Sequence, residues 1–349
     1  MPGAVDVNLL PFLRETATQS RGRTLPEEDL MSQMPGRALL RRAGLSRDLL
    51  YRIRLSLTAM LRQRAITPHS AFKGTSDRYW YWVLVRGRQS TPALRDVIPG
   101  LPAESIQQNW TGSTGETTLR EAYDFYRLVR DVARRYGRDI RPDTRVMDFG
   151  CGWGRIIRFF LRDVEPGNLV GCDCYAEAFE AARNGNAWCD FRLIDPMPPS
   201  SFASESFDVI YLYSVFSHLS EEAHLKWLKE FHRLLRPGGL LFVTTRKRDF
   251  ILQCAELRRR RDVPEYARGG VASFPDTEES LRRYDAGTYC HSATGGGGVL
   301  ETSFYGETCI PKPYVEREWS KTFQVLEFLD HEPRCPQALI VAAKPLASA

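Results

Sequence analysis

Three glycines and one carboxylate stand at two-residue spacing in the segment RVMDFGCGWGR, residues 145–155. A short apolar strand leads into Asp148, Gly150, Gly152 and Gly154, and the apolar run IIRFFLRDV that follows predicts a helix. Glycine has no Cβ, so the backbone can turn tightly there and approach a ligand closely. The N-terminus of a helix offers unpaired N–H groups to an acceptor. This arrangement predicts a site for a nucleotide-like ligand.

The spacing and the carboxylates narrow the choice of ligand. The GxGxG pattern does not fit the GxGxxG of NAD and FAD sites. Asp148, which precedes the first glycine, suits a cationic amine better than a pyrophosphate. Asp173 ends the next predicted strand about 20 residues further on, where an acid can accept both hydroxyls of a ribose. The two acids therefore predict contacts to an amine and to a ribose.

Strands and helices alternate from Thr144 onward, which predicts βαβ units and a mainly parallel sheet. A helix over residues 117–136 comes before them, with Gly137 as its C-cap. Ser220 begins a second helix with one buried apolar stripe. The strands are expected at residues 145–149, 168–172, 188–194, 208–213, 240–245, 322–330 and 336–344.

These features together resemble the class I S-adenosylmethionine (SAM) dependent methyltransferases. RVMDFGCGWGR resembles motif I of that family, and the segments SFDVIYLYSVFSHL (206–219) and LLRPGGLLFV (234–243) match phrases around its fourth and fifth strands. The resemblance covers a little under half of the chain. It implies an α/β fold with a Rossmann-like class I methyltransferase sheet, mostly parallel, with seven strands of which the last is antiparallel. A helical N-terminal extension and an insertion after strand five complete the expected fold.

The same resemblance implies a donor site for SAM, with S-adenosylhomocysteine (SAH) as the product and no metal. In the family, motif I surrounds the amino-acid end of SAM, and the acid at the end of strand two binds the ribose. The residue after that acid and an acid after strand three lie near the adenine. The cofactor-binding residues implied are Asp148, Gly150, Cys151, Gly152, Trp153, Gly154, Asp173, Cys174, Asp195, Tyr213 and Ser214.

Two histidines are candidate general bases. Methyl transfer is an in-line displacement, so the protein must align donor and acceptor and, for some acceptors, remove a proton. His218 is the leading candidate, because it follows strand four, where the active-site loop of the family lies, and because histidine titrates near neutrality. The alternative is that His218 caps the next helix or packs under the loop. His291, near Tyr289 and Tyr305 in the insertion, is the second candidate.

The regions outside the resemblance are expected to recognise the acceptor. We expect residues 1–115 to form a helical extension that lies on the acceptor side or mediates oligomerisation. Residues 116–349 are expected to form the SAM-binding domain, with the insertion 246–320 as a substrate lid. The extension contains a predicted amphipathic helix at 46–64 and an aromatic run at 78–85, which is core, pocket wall or dimer surface. It carries 16 Lys and Arg against 9 Asp and Glu, hence +7, whereas the whole chain carries +5. A solvated helical face or an anionic partner explains this excess.

Composition places the chain among ordinary globular proteins, with 43% hydrophobic and 26% charged residues. No apolar run approaches the roughly 18 residues that a membrane span needs, and we expect a cytoplasmic protein with no membrane partner. The eight cysteines include no CxxC pair, which favours buried thiols over structural zinc.

The favoured function is SAM-dependent methyl transfer to an oxygen or nitrogen of a small-molecule acceptor, a metabolite or natural-product intermediate. A homodimer is compatible with these features. A nucleic-acid acceptor is less favoured: the (N/D)PPY segment of DNA-amine methyltransferases is replaced by YSVF after strand four. The arginine-rich N-terminal third keeps that alternative open. Others are a SAM- or SAH-binding scaffold or regulatory protein without catalysis, an aminopropyl transferase, and an NAD-binding enzyme.

Overall fold

A computed structural model describes residues 66–263 and 268–346. Residues 66–74 and 80–346 belong to one compact unit, which holds the sheet and the candidate site. The predicted amphipathic helix at 46–64 lies outside the described residues. Among the helices of the described ranges, none has the length and the hydropathy that crossing a bilayer requires.

Nine strands are described. They are β1 Val146–Phe149, β2 Leu169–Asp173, β3 Asp190–Leu193, β4 Phe207–Leu212, β5 Leu235–Thr245, β6 Cys290–Ser292, β7 Glu307–Cys309, β8 Gln324–Leu329 and β9 Ala338–Ala343. The α-helices are α1 Pro68–Phe72, α2 Asp77–Trp82, α3 Arg88–Ser90, α4 Glu104–Thr111, α5 Gly115–Arg135, α6 Ile157–Phe160, α7 Ala176–Gly185, α8 Glu221–Leu234, α9 Arg248–Arg259, α10 Arg268–Ala272, α11 Thr277–Asp285 and α12 Lys312–Glu318. A π-helical turn covers Val83–Gly87, and 3-10 turns cover Pro92–Leu94, Pro166–Asn168 and Trp319–Lys321.

Seven of these strands form one sheet in the order β3-β2-β1-β4-β5-β9-β8. The first five are parallel neighbours, and β9 runs antiparallel to both β5 and β8. The expected seven-stranded, mostly parallel sheet with an antiparallel last strand is therefore confirmed. Parallel strands end at the same edge of the sheet, so the segments after β1, β2 and β4 meet there.

Apolar strands and amphipathic helices build the core. All four residues of β1 and all five of β2 are buried, as expected for central parallel strands covered on both faces. Helix α8 begins where predicted, because the Ser220 hydroxyl accepts the Ala223 N–H at 3.3 Å as an N-cap. Its buried face, which includes Trp227 and Phe231, packs on the sheet. Helix α5 ends before Gly137, whose φ of +70° suits the residue beyond a helix end.

Three local predictions differ from the structure. The run after the glycine turn forms only the four-residue helix α6, because its bulky β-branched and aromatic residues have low helix propensity and are buried all round rather than along one stripe. Strand β5 begins at Leu235, so the RPGG segment belongs to the strand, where the register with β4 shifts. Helix α5 begins at Gly115, two residues before the predicted start at 117, and α4 extends to Thr111 just before it.

The insertion after strand five has its own structure. It contains helices α9 to α12 and a ribbon in which β6 and β7 pair antiparallel. A small apolar cluster of Ile251, Cys254, Phe274, Cys290 and Cys309 joins α9 to this ribbon. The insertion therefore has a core of its own beside the main sheet.

Candidate active site

The glycine turn after β1 adopts backbone conformations that other residues rarely take. Gly150, Gly152 and Gly154 have φ angles of +68°, +52° and +75°. A Cβ added at Gly150 would lie 2.4 Å from Cγ2 of Val215, whereas one added at Gly152 would meet no atom within 4 Å. Gly150 is therefore required by close packing as well as by conformation, and Gly152 leaves open space beside the backbone.

Asp173, at the end of β2, holds the glycine turn in place. Its Oδ2 accepts the Gly152 N–H at 2.9 Å, and its Oδ1 accepts the Tyr175 N–H at 2.9 Å. Burial raises the pKa of Asp173, and these backbone hydrogen bonds oppose the shift. A carboxylate oxygen has two lone pairs, so both oxygens can still accept a ligand hydroxyl.

Asp148, at the end of β1, is 2% exposed. No group among the described residues hydrogen-bonds its Oδ2. Burial raises the pKa of Asp148 to about 7, although the Tyr211 hydroxyl acts in the opposite direction. A buried carboxylate oxygen without a partner is costly unless a ligand satisfies it.

Arg155 lies on the same cavity as Asp148 and carries the opposite charge. Its Nη2 donates to Oε1 of Glu121 at 2.9 Å, which ties the turn to α5. Its guanidinium also lies 4.9 Å from the ring centroid of Tyr213. The cavity therefore presents a carboxylate and a guanidinium to one ligand.

The cavity at this edge of the sheet has a volume of about 890 Å³, its open mouth included. It brings together ten of the residues predicted from the sequence: Asp148, Gly150, Cys151, Gly152, Trp153, Asp173, Cys174, Tyr213, Ser214 and His218. Gly154 shapes the turn but does not line the cavity. Asp195 lines an adjoining apolar cavity, which shares Asp173, Cys174 and Tyr305 with the first.

His218 lies at the cavity with its ring fixed on one side. Its Nδ1 is 2.8 Å from the carbonyl oxygen of Gly306. A carbonyl can only accept, so Nδ1 carries the proton and Nε2 is the basic nitrogen. The ring stacks on Tyr305 with centroids 5.0 Å apart and 4° between the planes. Burial lowers the pKa of His218. The negative charge of the nearby Glu307 raises this pKa, and the positive charge of Arg246 lowers it.

His291, in β6, is not among the residues that line this cavity. The Thr308 hydroxyl donates to the Leu219 carbonyl at 2.7 Å, and Nδ1 of His291 lies 2.8 Å from that hydroxyl oxygen. Nδ1 is therefore the donor, and burial lowers the pKa of His291. His291 thus contacts Thr308, which is hydrogen-bonded to the loop that carries His218.

Several residues that line the cavity were not predicted. Trp110 and Thr111 come from α4, Leu300 comes from the insertion, and Tyr175 follows β2. The rings of Trp110 and Tyr175 meet edge to face, with centroids 5.1 Å apart. Of these four, only Tyr175 could have been predicted from the sequence, because it lies two residues after Asp173, the acid predicted to bind a ribose. The other three lie far away in sequence.

The chain has an α/β fold, and its glycine turn lies where the parallel strands end, which is the edge at which such folds bind ligands. Residues 146–239 match the family model described as a methyltransferase domain. These residues are therefore similar in sequence to a methyltransferase domain, and they cover β1 to the first part of β5 in the sheet described above.

Curated relatives match part of the chain. The "Probable tRNA methyltransferase 9B" of Mus musculus is 32% identical over 142 residues, which cover 40% of this chain and 30% of that protein. The "Ubiquinone biosynthesis O-methyltransferase" of Mesorhizobium japonicum is 28% identical over 153 residues, covering 40% of this chain and 59% of that protein. The matches thus span between about a third and three fifths of these relatives. A solved SAM-dependent methyltransferase from Methanosarcina mazei covers 62% of this chain and 98% of its own, at 19% identity and a TM-score of 0.41.

Proposed function

We propose that this protein is a SAM-dependent methyltransferase that methylates an oxygen or nitrogen of a small molecule. The observation that carries the proposal is the pair Asp148 and Arg155 on one cavity, with an unpartnered Oδ2 on the buried Asp148. An α-amino acid carries an ammonium and a carboxylate side by side, so it matches this pair. NAD carries no such group, and its pyrophosphate would be repelled by Asp148.

The residues present fit the remaining parts of SAM. Trp153, 1% exposed, lines the cavity, and its Nε1 has no hydrogen-bond partner in the described part of the chain, so it offers a donor to the SAM carboxylate. Asp173 would take the ribose hydroxyls, and Cys174 and Asp195 would flank the adenine. SAM supplies a methyl group on a positively charged sulfur. The cavity therefore satisfies its orphaned polar groups by holding this donor.

We assign the proton-accepting role to His218. Its Nδ1–H is held by the Gly306 carbonyl, which leaves Nε2 free to take a proton from a hydroxyl or ammonium acceptor. Burial keeps the ring neutral at neutral pH, and only the neutral ring is a base. His291 remains the second candidate.

The acceptor side would be built from outside the central sheet. Residues 1–115 contribute Trp110 and Thr111 to the cavity, and the insertion 246–320 contributes Leu300 and Tyr305. A Cβ at Gly298 would lie 3.1 Å from the Tyr175 hydroxyl, so the glycine-rich loop passes closely over that wall. We propose that the insertion acts as the substrate lid and that residues 116–349 are the SAM-binding domain.

A nucleic-acid acceptor is the second candidate. The name of the mouse relative refers to tRNA, and residues 1–115 carry a net charge of +7 from 16 basic and 9 acidic residues. A non-catalytic SAM- or SAH-binding scaffold is the third. We expect no metal requirement, because in-line transfer from a sulfonium needs none.

A transfer assay with methyl-labelled SAM separates the candidates. The protein is incubated with a panel of phenols and amines, and separately with total tRNA, at low and high salt. We expect label in a small molecule with little salt dependence. Label in tRNA that declines steeply with salt would favour the nucleic-acid acceptor, because phosphate contacts release counterions. SAH binding without any transfer would favour the scaffold. The Asp173→Ala variant serves as the donor-site control.

A further inference from the structure

The segment 304–308 of the insertion runs beside the loop that carries His218. The Gly306 N–H donates to the His218 carbonyl at 2.8 Å, and the Thr308 N–H donates to the Ser217 carbonyl at 2.8 Å. The Ser220 N–H donates to the Phe304 carbonyl at 2.7 Å. Three backbone hydrogen bonds therefore join this part of the insertion to the loop that carries His218. They hold side chains of the insertion at a fixed position beside the His218 ring.

Two opposite charges stand behind that ring. Oε2 of Glu307 accepts from Nε of Arg246 at 3.0 Å and lies 2.9 Å from its Nη2. The same oxygen lies 3.7 Å from Nδ1 of His218. The side chains of Glu307 and Arg246 are 10% and 25% exposed, so solvent screens them only in part. Arg246 is held in turn by the Phe250 ring, 3.9 Å from its guanidinium.

We infer that Arg246 and Glu307 are positioning residues that fix the protonation state of His218. The inference rests on the proposed role of His218 as proton acceptor. Nδ1–H is bound to Gly306, so Glu307 acts on the ring through its charge rather than by taking that proton. Arg246 neutralises part of this charge. Burial favours the neutral ring, and the pair keeps an anion close enough to stabilise the ring once Nε2 is protonated.

Removing Arg246 and removing Glu307 should change the pKa of His218 in opposite directions, and this difference tests the inference. Without Arg246, the charge of Glu307 is no longer neutralised, so the imidazolium is favoured and the pKa rises. Without Glu307, Arg246 faces the ring alone, so the imidazolium is disfavoured and the pKa falls. Among the described residues, Tyr305 is stacked on the ring and His291 is close enough to interact with it electrostatically. Asp148, Asp173 and Cys174 line the same cavity as His218.

The experiment is an NMR pH titration of ring-labelled histidines in the full chain saturated with SAH. The resonance of His218 is assigned by its loss in His218→Asn. We expect Arg246→Gln to raise the pKa of His218 by about one unit, and Glu307→Gln to lower it by a similar amount. Arg246→Lys keeps the positive charge, so the pKa of His218 in this variant should lie close to its wild-type value. Arg248→Gln is the matched control, because Arg248 forms a 2.7 Å ion pair with Asp285 outside the site.

Shifts of opposite sign with SAH bound would support the inference. Shifts below about 0.3 unit in both variants, or shifts of the same sign, would overturn it. If Glu307→Gln does not fold, the comparison of Arg246→Gln with Arg246→Lys decides alone. Failure of SAH to bind the wild type would instead count against the proposed function. Normal transfer by His218→Asn would remove the base role and leave the electrostatic coupling intact.

Discussion

Asp173 and Gly152 are joined across the open edge of the sheet, where the Gly152 N–H donates to Oδ2 of Asp173 at 2.9 Å. The end of β2 thereby fixes the middle of the glycine turn after β1. A ligand that uses this carboxylate must share it with the turn. Ligand binding and the conformation of the turn are therefore coupled.

Asp173→Ala should weaken the binding of SAM and SAH by about 1.5–3 kcal/mol, the usual scale of hydrogen bonds to a charged group. Calorimetric titration measures the effect, and a thermal melt shows whether the fold survives. Asp190→Ala is the control, because Asp190 is exposed on the neighbouring strand and pairs only with Arg192 among the described residues. Equal affinities for Asp173→Ala and wild type would remove the ribose assignment.

Asp148 should make SAH binding depend on pH. Its pKa of about 7 means that the free protein holds a proton there below pH 7, and the ligand ammonium binds the ionised form. The affinity should therefore fall below pH 7, approaching tenfold per unit. Asp148→Asn should bind SAH weakly and with a nearly flat pH dependence. A wild-type affinity that is constant from pH 8 to pH 5.5 would contradict the assignment.

The raised pKa of Asp148 also predicts how the stability of the folded state depends on pH. The folded-state pKa of Asp148 is raised above its unfolded value of about 4. The folded state therefore binds the extra proton between about pH 4 and 7, and this contribution to stability is lost as pH rises through 7. Asp148→Asn should remove this loss and unfold at a higher temperature than wild type at pH 8 without ligand. Denaturation at pH 5 and 8 measures it, and a variant less stable at pH 8 would refute it.

Substitution by alanine should destabilise the protein to different extents at Gly150 and Gly152. Gly152→Ala should cost about 1–2 kcal/mol for its positive φ and should still fold, because its Cβ meets no protein atom. Its Cβ would stand where the ligand approaches, so SAH binding should be lost. Gly150→Ala adds a clash with Val215 and should be destabilised further, by about 1–3 kcal/mol more. Denaturant titration compares the two, and equal stability would contradict this packing.

His218→Ala should leave SAM affinity nearly intact and lower turnover about a hundredfold, the scale of general base catalysis. His291→Ala is the informative partner, because His291 contacts Thr308 without lining the cavity. Its turnover should fall less than that of His218→Ala. Both are measured with an acceptor found in the labelled-methyl screen. If His291→Ala were the more damaging change, the base would have to be reassigned.

The sheet could be predicted because alternating apolar strands and amphipathic helices admit few arrangements. Asp148, the glycines and Asp173 follow from the same logic, since they lie in or just after the carboxyl ends of buried strands. The helix after the turn was overestimated, because its residues, Arg158 included, are buried on every side and form no apolar stripe opposite a polar face.

The rest of the cavity could not be predicted, because it depends on contacts between distant parts of the chain. Trp110 reaches Tyr175 from α4. The Gly306 carbonyl that orients His218 is 88 residues away along the chain. Such pairs depend on how the extension and the insertion pack on the sheet. The local pattern of apolar residues along the chain does not predict that packing.

Calorimetric titration of the purified protein with SAM and SAH, with NAD as the control, tests the central claim most directly. We expect micromolar binding of both sulfur ligands and none of NAD, because the Asp148 and Arg155 pair matches an amino acid. Binding of NAD, or no binding of SAM and SAH, would contradict the account of this cavity as a methyl-donor site.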